Sequence, residues 1–142
     1  MATERRADVV WEGDLLHGSG TVVSNTSGAL PRLAVSWASR AEAPNGKTSP
    51  EELIAAAHAA CFSMALSHGL AEAGHTAERL ETSATVTFQP GEGITGSALT
   101  VVGTVPGMTA DEFEAQAQDA KANCPVSQAL SVEITLDAQL AG

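Results

Sequence analysis

From Arg79 to Phe88 the chain alternates, placing Leu80, Thr82, Ala84, Val86 and Phe88 on one side of an extended backbone. A period of two predicts a strand with one buried face. A second run, Ile94 to Val105, ends at a Pro106-Gly107 turn, and Pro90-Gly91-Glu92-Gly93 between the runs predicts an antiparallel connection. Val132 to Asp137 alternates again as a last strand. Near the N-terminus, Val9-Val10-Trp11 followed by Glu12-Gly13-Asp14 predicts a strand entering a turn. Gly18 to Ser24 is its expected hairpin partner, and Leu33 to Trp37 a third strand.

Two segments break this period. Ser49-Pro50-Glu51-Glu52 carries helix-start signals: Ser49 at N-cap, Pro50 at N1 and Glu52 at N3 to close a capping box. The apolar run behind it predicts a helix to about Glu72 or Ala73, with Gly74 at C′. Ala55 to Ala60 is nearly all small residues, which predicts close approach of another backbone and a central helix buried on most sides. The preceding stretch, Ala41 to Pro50, is loop by composition. Thr109 to Asn123 predicts a second helix, with Thr109 as N-cap and Glu112 at N3 of another capping box. Pro125 interrupts it, so Cys124 can cap a new short helix with Pro125 at N1 and Val126 to Leu130 behind. There is no internal repeat. The expected class is α+β, with antiparallel sheets packed on a buried central helix in a single domain, residues 1–142.

Composition narrows the partners. With 44% hydrophobic residues and few aromatics (three Phe, two Trp, no Tyr) the core has to be aliphatic and alanine-based. The net charge of −10 argues against nucleic acid and against an anionic membrane surface, both of which are bound through Lys and Arg. The longest apolar stretch, Leu53 to Leu66, falls short of the roughly 20 residues a bilayer span needs. The charged N-terminus lacks the apolar core of a secretory signal, so the cytoplasm is the expected location.

The chemistry centres on two cysteines, Cys61 and Cys124. A reducing cytosol disfavours a static disulfide, and no CxxC or clustered metal-ligand spacing exists. Cys61 lies deep in its helix, beyond the reach of the helix dipole; it is either an inert core thiol or one activated by a nearby cation. His58 precedes it by three residues on the same face. Cys124, at an N-cap, faces free N–H groups that favour a thiolate, unless it merely stands in for serine there. Arg40 follows an apolar strand and reads by itself as a surface residue. Glu51 and Glu52 sit in a first helical turn, where acids are favoured; Glu52 is committed to the capping box and Glu51 is the freer. His17, His58, His68 and His75 do not form a metal site: His58 and His68 are about 15 Å apart along their helix.

These residues resemble the OsmC/Ohr family (osmotically inducible protein C and organic hydroperoxide resistance protein). Ser49 to Leu66 resembles the family's signature helix, and Ala122-Asn123-Cys124-Pro125-Val126-Ser127-Gln128 its second cysteine motif. Trp11-Glu12-Gly13-Asp14, Gly18-Ser19-Gly20-Thr21 and Glu133-Ile134-Thr135-Leu136 match as well, so the likeness spans nearly the whole chain.

The resemblance implies a thiol peroxidase for oxidative and osmotic stress, acting on organic hydroperoxides, built as an intertwined α+β homodimer with its sites at the subunit interface. It implies Cys61 as the peroxidatic and Cys124 as the resolving thiol, joined in a disulfide during turnover. It also implies an arginine and a glutamate beside the first cysteine, matched by Arg40 and Glu51. Asp14 to Gly20 lacks the hairpin arginine of the Ohr branch, which favours the OsmC branch; Ala41 departs from an aromatic common there. The implied reductant is a dihydrolipoyl-type thiol, with no bound cofactor. An aliphatic site predicts preference for alkyl hydroperoxides over hydrogen peroxide. A dimeric binder of hydrophobic ligands or a thiol sensor is the competing class, and has no use for a second cysteine at a helix cap. Because Glu51 and Cys61 are about 15 Å apart on a straight helix, Glu51 is expected to serve the partner subunit's cysteine.

Overall fold

The computed structural model describes residues 1–141, which form two compact units, Met1–Leu53 and Ile54 onward.

In the first unit, β1 (Ala7–Glu12), β2 (Ser19–Asn25) and β3 (Leu33–Val35) form an antiparallel sheet in the order β1-β2-β3. The hairpin has the expected partners, with Trp11 opposite Gly20 and a register shift between Asp8 and Val9. Here the sequence misled at one point: the third strand stops at Val35 rather than Trp37, and Trp37–Ala41 is a short helix, α1. The cause is a local capping box. The Ser39 amide donates to Ser36 Oγ (3.1 Å) and the Ser36 amide to Ser39 Oγ (3.0 Å), which stops the strand and starts a helix in one step. The loop that follows is pinned rather than loose. Ser39 Oγ donates to the Thr48 carbonyl (2.9 Å), the Thr48 amide donates to the Ala34 carbonyl (2.9 Å), and Asn45 and Gly46 turn the chain with positive φ.

Helix α2 (Pro50–Glu72) starts where its signals place it. The Glu52 amide donates to Ser49 Oγ (3.2 Å), but the Glu52 carboxylate accepts from Thr48 Oγ1 (2.6 Å), replacing the second arm of the expected box. Its C-terminus closes as a Schellman motif. The His75 amide donates to the Leu70 carbonyl and the Gly74 amide to the Ala71 carbonyl, with Gly74 at φ +88°.

The second unit holds β4 (Arg79–Gln89), β5 (Gly93–Thr104) and β6 (Glu133–Leu140), in the order β4-β5-β6. The β4–β5 pair is antiparallel as expected, but β5–β6 is parallel, so this sheet is mixed and not antiparallel throughout. The reason is connectivity: β5 reaches β6 only through α3 (Ala110–Asn123) and α4 (Pro125–Ala129), a crossover long enough to return the chain in the same direction. The Glu112 amide caps onto Thr109 Oγ1 (3.2 Å) at the start of α3, while the Glu112 carboxylate lies 3.9 Å from His75. Phe113 of α3 packs so closely on β5 that a Cβ at Gly103 would meet its ring at 2.5 Å.

The core of this unit gathers Phe62, Leu66, Leu70, Leu99, Val101, Phe113, Ala117 and Cys124. It corrects the expectation of a central helix buried on most sides. Within this chain α2 buries one stripe, His58, Phe62, Leu66 and Leu70, spaced by four residues. Ala56, Ala57, Ala60 and Met64 face outward, Met64 with 74% of its surface exposed. The sheet covers one side of a helix only. By length and composition α2 also reaches the size of a membrane span, longer than the Leu53 to Leu66 stretch alone suggests. Its buried stripe, continuous with the core of a mixed sheet, is the arrangement of a packed core helix.

Candidate functional site

Two pairs of residues singled out in the sequence are brought together, one in each unit.

In the first unit, Arg40 stands in the last turn of α1, where a cation suits the helix dipole. Its Nε donates to Glu51 Oε1 and Oε2 (3.1 Å each) and its Nη2 to Oε2 (2.8 Å). Glu51, at the start of α2, is only 6% exposed. Burying a carboxylate is costly unless it is paired, and the guanidinium fork supplies that pairing in a fixed plane. The short helix, the pinned loop and the start of α2 together hold this geometry.

In the second unit, Cys61 of α2 and Cys124 are neighbouring free thiols. Cys124 is fully buried and joins two helices: its amide donates to the Ala120 carbonyl at the end of α3 (2.9 Å), and it is the N-cap of α4. Its sulfur makes no full capping bond at the start of α4, but the Ser127 amide and hydroxyl and the Val126 amide lie close enough to act on it. Burial resists ionisation of Cys124. The neighbouring Cys61, the Ser127 amide and hydroxyl, and the Val126 amide outweigh it and pull the thiol below its ordinary value. Cys61, half-buried, goes the other way: burial and the Cys124 thiol push it up, against a smaller pull from the Val126 amide.

Behind the thiols lies a buried polar cluster that sequence reasoning only half found. His58 is wholly buried, with Nδ1 2.7 Å from Ser97 Oγ on β5 and Nε2 2.8 Å from Ser127 Oγ on α4. Burial depresses its pKa, which favours the neutral ring. His58 was visible as a neighbour of Cys61; Ser97 and Ser127 were not singled out. The available signal for Ser97 was a lone polar residue in phase with inward-facing Leu99 and Val101. For Ser127 it was the N3 position behind a Cys-Pro cap.

A mixed α+β unit with a cysteine on its long helix and a second at a helix junction defines a fold with close counterparts among solved structures. An OsmC-like protein from Mycoplasma pneumoniae matches with a TM-score of 0.74 over 100% of both chains, at 15% identity. The organic hydroperoxide resistance protein OhrB of Bacillus subtilis matches with a TM-score of 0.63, covering 96% of this chain and 98% of that one, at 24% identity. In sequence, the peroxiredoxin OsmC of Escherichia coli (strain K12) is 48% identical over 143 residues, 99% of each chain. The model of the family described as OsmC-like protein matches residues 43–138. The chain belongs to the OsmC-like protein family.

Proposed function

We propose that this protein is a thiol-dependent peroxidase that reduces organic hydroperoxides to alcohols, with Cys61 as the peroxidatic and Cys124 as the resolving thiol. The observation that carries this reading is the pairing of two neighbouring cysteines in a chain 48% identical to a peroxiredoxin over its full length.

The chemistry runs in two oxidative steps. Cys61 thiolate attacks one peroxide oxygen; the O–O bond breaks, an alcohol leaves, and Cys61 becomes a sulfenic acid. Cys124 then attacks the Cys61 sulfur; the S–O bond breaks, water leaves, and a disulfide forms. An external dithiol of the dihydrolipoyl type returns both cysteines to thiols. The Arg40 guanidinium, oriented by Glu51, stabilises the Cys61 thiolate that burial alone disfavours.

Helix α2 is continuous between Glu51 and Cys61, ten residues and about 15 Å of rise. On this reading the Arg40–Glu51 pair therefore serves the Cys61 of a second copy, and the homodimer is the working unit. The outward face of α2, with Ala56, Ala57 and Ala60, gives a second α2 room to approach. An aliphatic environment favours alkyl hydroperoxides over hydrogen peroxide.

Steady-state turnover tests this directly, with tert-butyl hydroperoxide or hydrogen peroxide as oxidant and dihydrolipoamide, thioredoxin or glutathione as reductant. The expected result is the highest kcat/KM for tert-butyl hydroperoxide with dihydrolipoamide, and none above background for Cys61→Ser. Undiminished peroxide consumption by Cys61→Ser contradicts the assignment.

A further inference from the structure

The mechanism above leaves the buried His58 without a task, although its ring is the hub of the polar cluster behind the thiols. Its two nitrogens are both engaged at short distance, by Ser97 Oγ (2.7 Å) and Ser127 Oγ (2.8 Å). All three residues are buried, and among the described residues no buried side-chain nitrogen or oxygen lacks a partner. Ser127 is the N3 residue of α4 and Cys124 its N-cap, and both the hydroxyl and the amide of Ser127 act on the Cys124 thiol.

We propose that His58 is a positioning residue for the resolving step, holding the Ser127 hydroxyl against the Cys124 sulfur so that Cys124 is ready to attack an oxidised Cys61. This rests on the assignment of Cys124 as the resolving thiol.

The hydrogen-bond inventory of a neutral imidazole explains why a histidine suits the place. One ring nitrogen donates and the other accepts, and the tautomers exchange the roles. When Cys124 is a thiol, its S–H faces Ser127 Oγ, the Ser127 O–H donates to Nε2, and Nδ1–H donates to Ser97 Oγ. When Cys124 is a thiolate, the Ser127 O–H turns to the sulfur, Nε2–H donates to Ser127 Oγ, and the Ser97 O–H donates to Nδ1. The Cys124 sulfur, the Ser127 hydroxyl and both ring nitrogens keep a partner in either state with no heavy atom moving. A glutamine or asparagine amide in the same place has a fixed donor end and a fixed acceptor end, and satisfies one state only.

In the resolving step the Cys124 sulfur bonds to the Cys61 sulfur and the sulfenic S–O bond breaks. The departing hydroxide takes the proton that Cys124 gives up and leaves as water. Ser127 stabilises the negative sulfur during the attack, and His58 keeps that hydroxyl pointed at it. Cys61 oxidation, which precedes this, does not use the cluster.

The test separates the two steps in a single turnover of the full chain. One equivalent of tert-butyl hydroperoxide is added to reduced protein. Sulfenic acid formation is followed by dimedone trapping in quenched samples, and disulfide closure by loss of both thiols. In Ser127→Ala, disulfide closure should slow about tenfold or more, the size of losing a hydrogen bond to a charged group. Sulfenic acid formation should proceed at the wild-type rate. Ser127→Thr, which keeps the hydroxyl, should restore closure, and His58→Gln should slow closure while leaving the first step intact. Closure at the wild-type rate in both Ser127→Ala and His58→Gln overturns the proposal, as does equal slowing of both steps. If wild-type protein itself forms no disulfide, the resolving assignment of Cys124 fails instead, a different outcome from either of these.

Discussion

Cys61 stands twelve residues into α2, where the partial charge at the helix start no longer reaches it. Burial pushes its thiol up, so the thiolate needs a cation brought from elsewhere in the sequence. Arg40 is that cation in the mechanism proposed, and its bidentate grip on Glu51 sets the plane of the guanidinium. Arg40→Lys keeps the charge but loses the fork, and should lower kcat/KM for tert-butyl hydroperoxide about tenfold, the scale of one charge-assisted hydrogen bond. An unchanged value means the planar geometry is not used. His58 makes a second prediction, about stability. Its folded pKa lies below the ordinary value near 6.5, so between the two the unfolded chain binds more protons. Its contribution is complete above about pH 6.5 and is lost as pH falls toward the folded value. Thermal melts should therefore show Tm falling below that pH, with a shallower fall in His58→Gln. Parallel slopes in the two proteins contradict this.

At the scale of elements, small capping arrangements do the positioning. Ser36 and Ser39 stop β3, start α1 and put Arg40 in its last turn, and Ser39 also ties the loop through the Thr48 carbonyl. Ser36→Ala should destabilise the protein by about 1 kcal/mol, as N-cap losses do, and lower peroxidase kcat/KM by loosening Arg40. Urea melts and turnover measured on the same preparation check both halves. This arrangement also marks the limit of the sequence reading. Leu33 to Trp37 has strand-like residues, and the reciprocal serine pair that ends the strand spans only four residues, too short to stand out against a hydrophobic run. Long features were legible: the alternation of β4, the Pro50 start and Gly74 end of α2, and the cap at Cys124. The parallel direction of β6 was not. Alternation gives a strand its buried face but not its neighbour, and the crossover through α3 and α4 decides the direction.

For the whole molecule, the telling feature is an apolar helix that buries only one stripe in its own chain. A helix with alanines and a methionine on the uncovered side gains by pairing, since apolar area removed from water stabilises at about 25 cal/mol per Å². The small residues of Ala55 to Ala60 were readable as packing room; that the room opens outward, and not into this chain's own core, required the structure. Ala57→Arg on that face should convert a dimer to a monomer in sedimentation equilibrium and abolish turnover while the far-ultraviolet circular dichroism stays unchanged. A wild-type monomer with full turnover contradicts the dimeric working unit. The most direct test of the account as a whole is thiol titration of reduced protein after one equivalent of tert-butyl hydroperoxide, without reductant. The account predicts that both thiols of each chain disappear and that peptide mapping finds Cys61 linked to Cys124. Two thiols still titratable after the peroxide is added, or a disulfide joining any other pair, contradicts it.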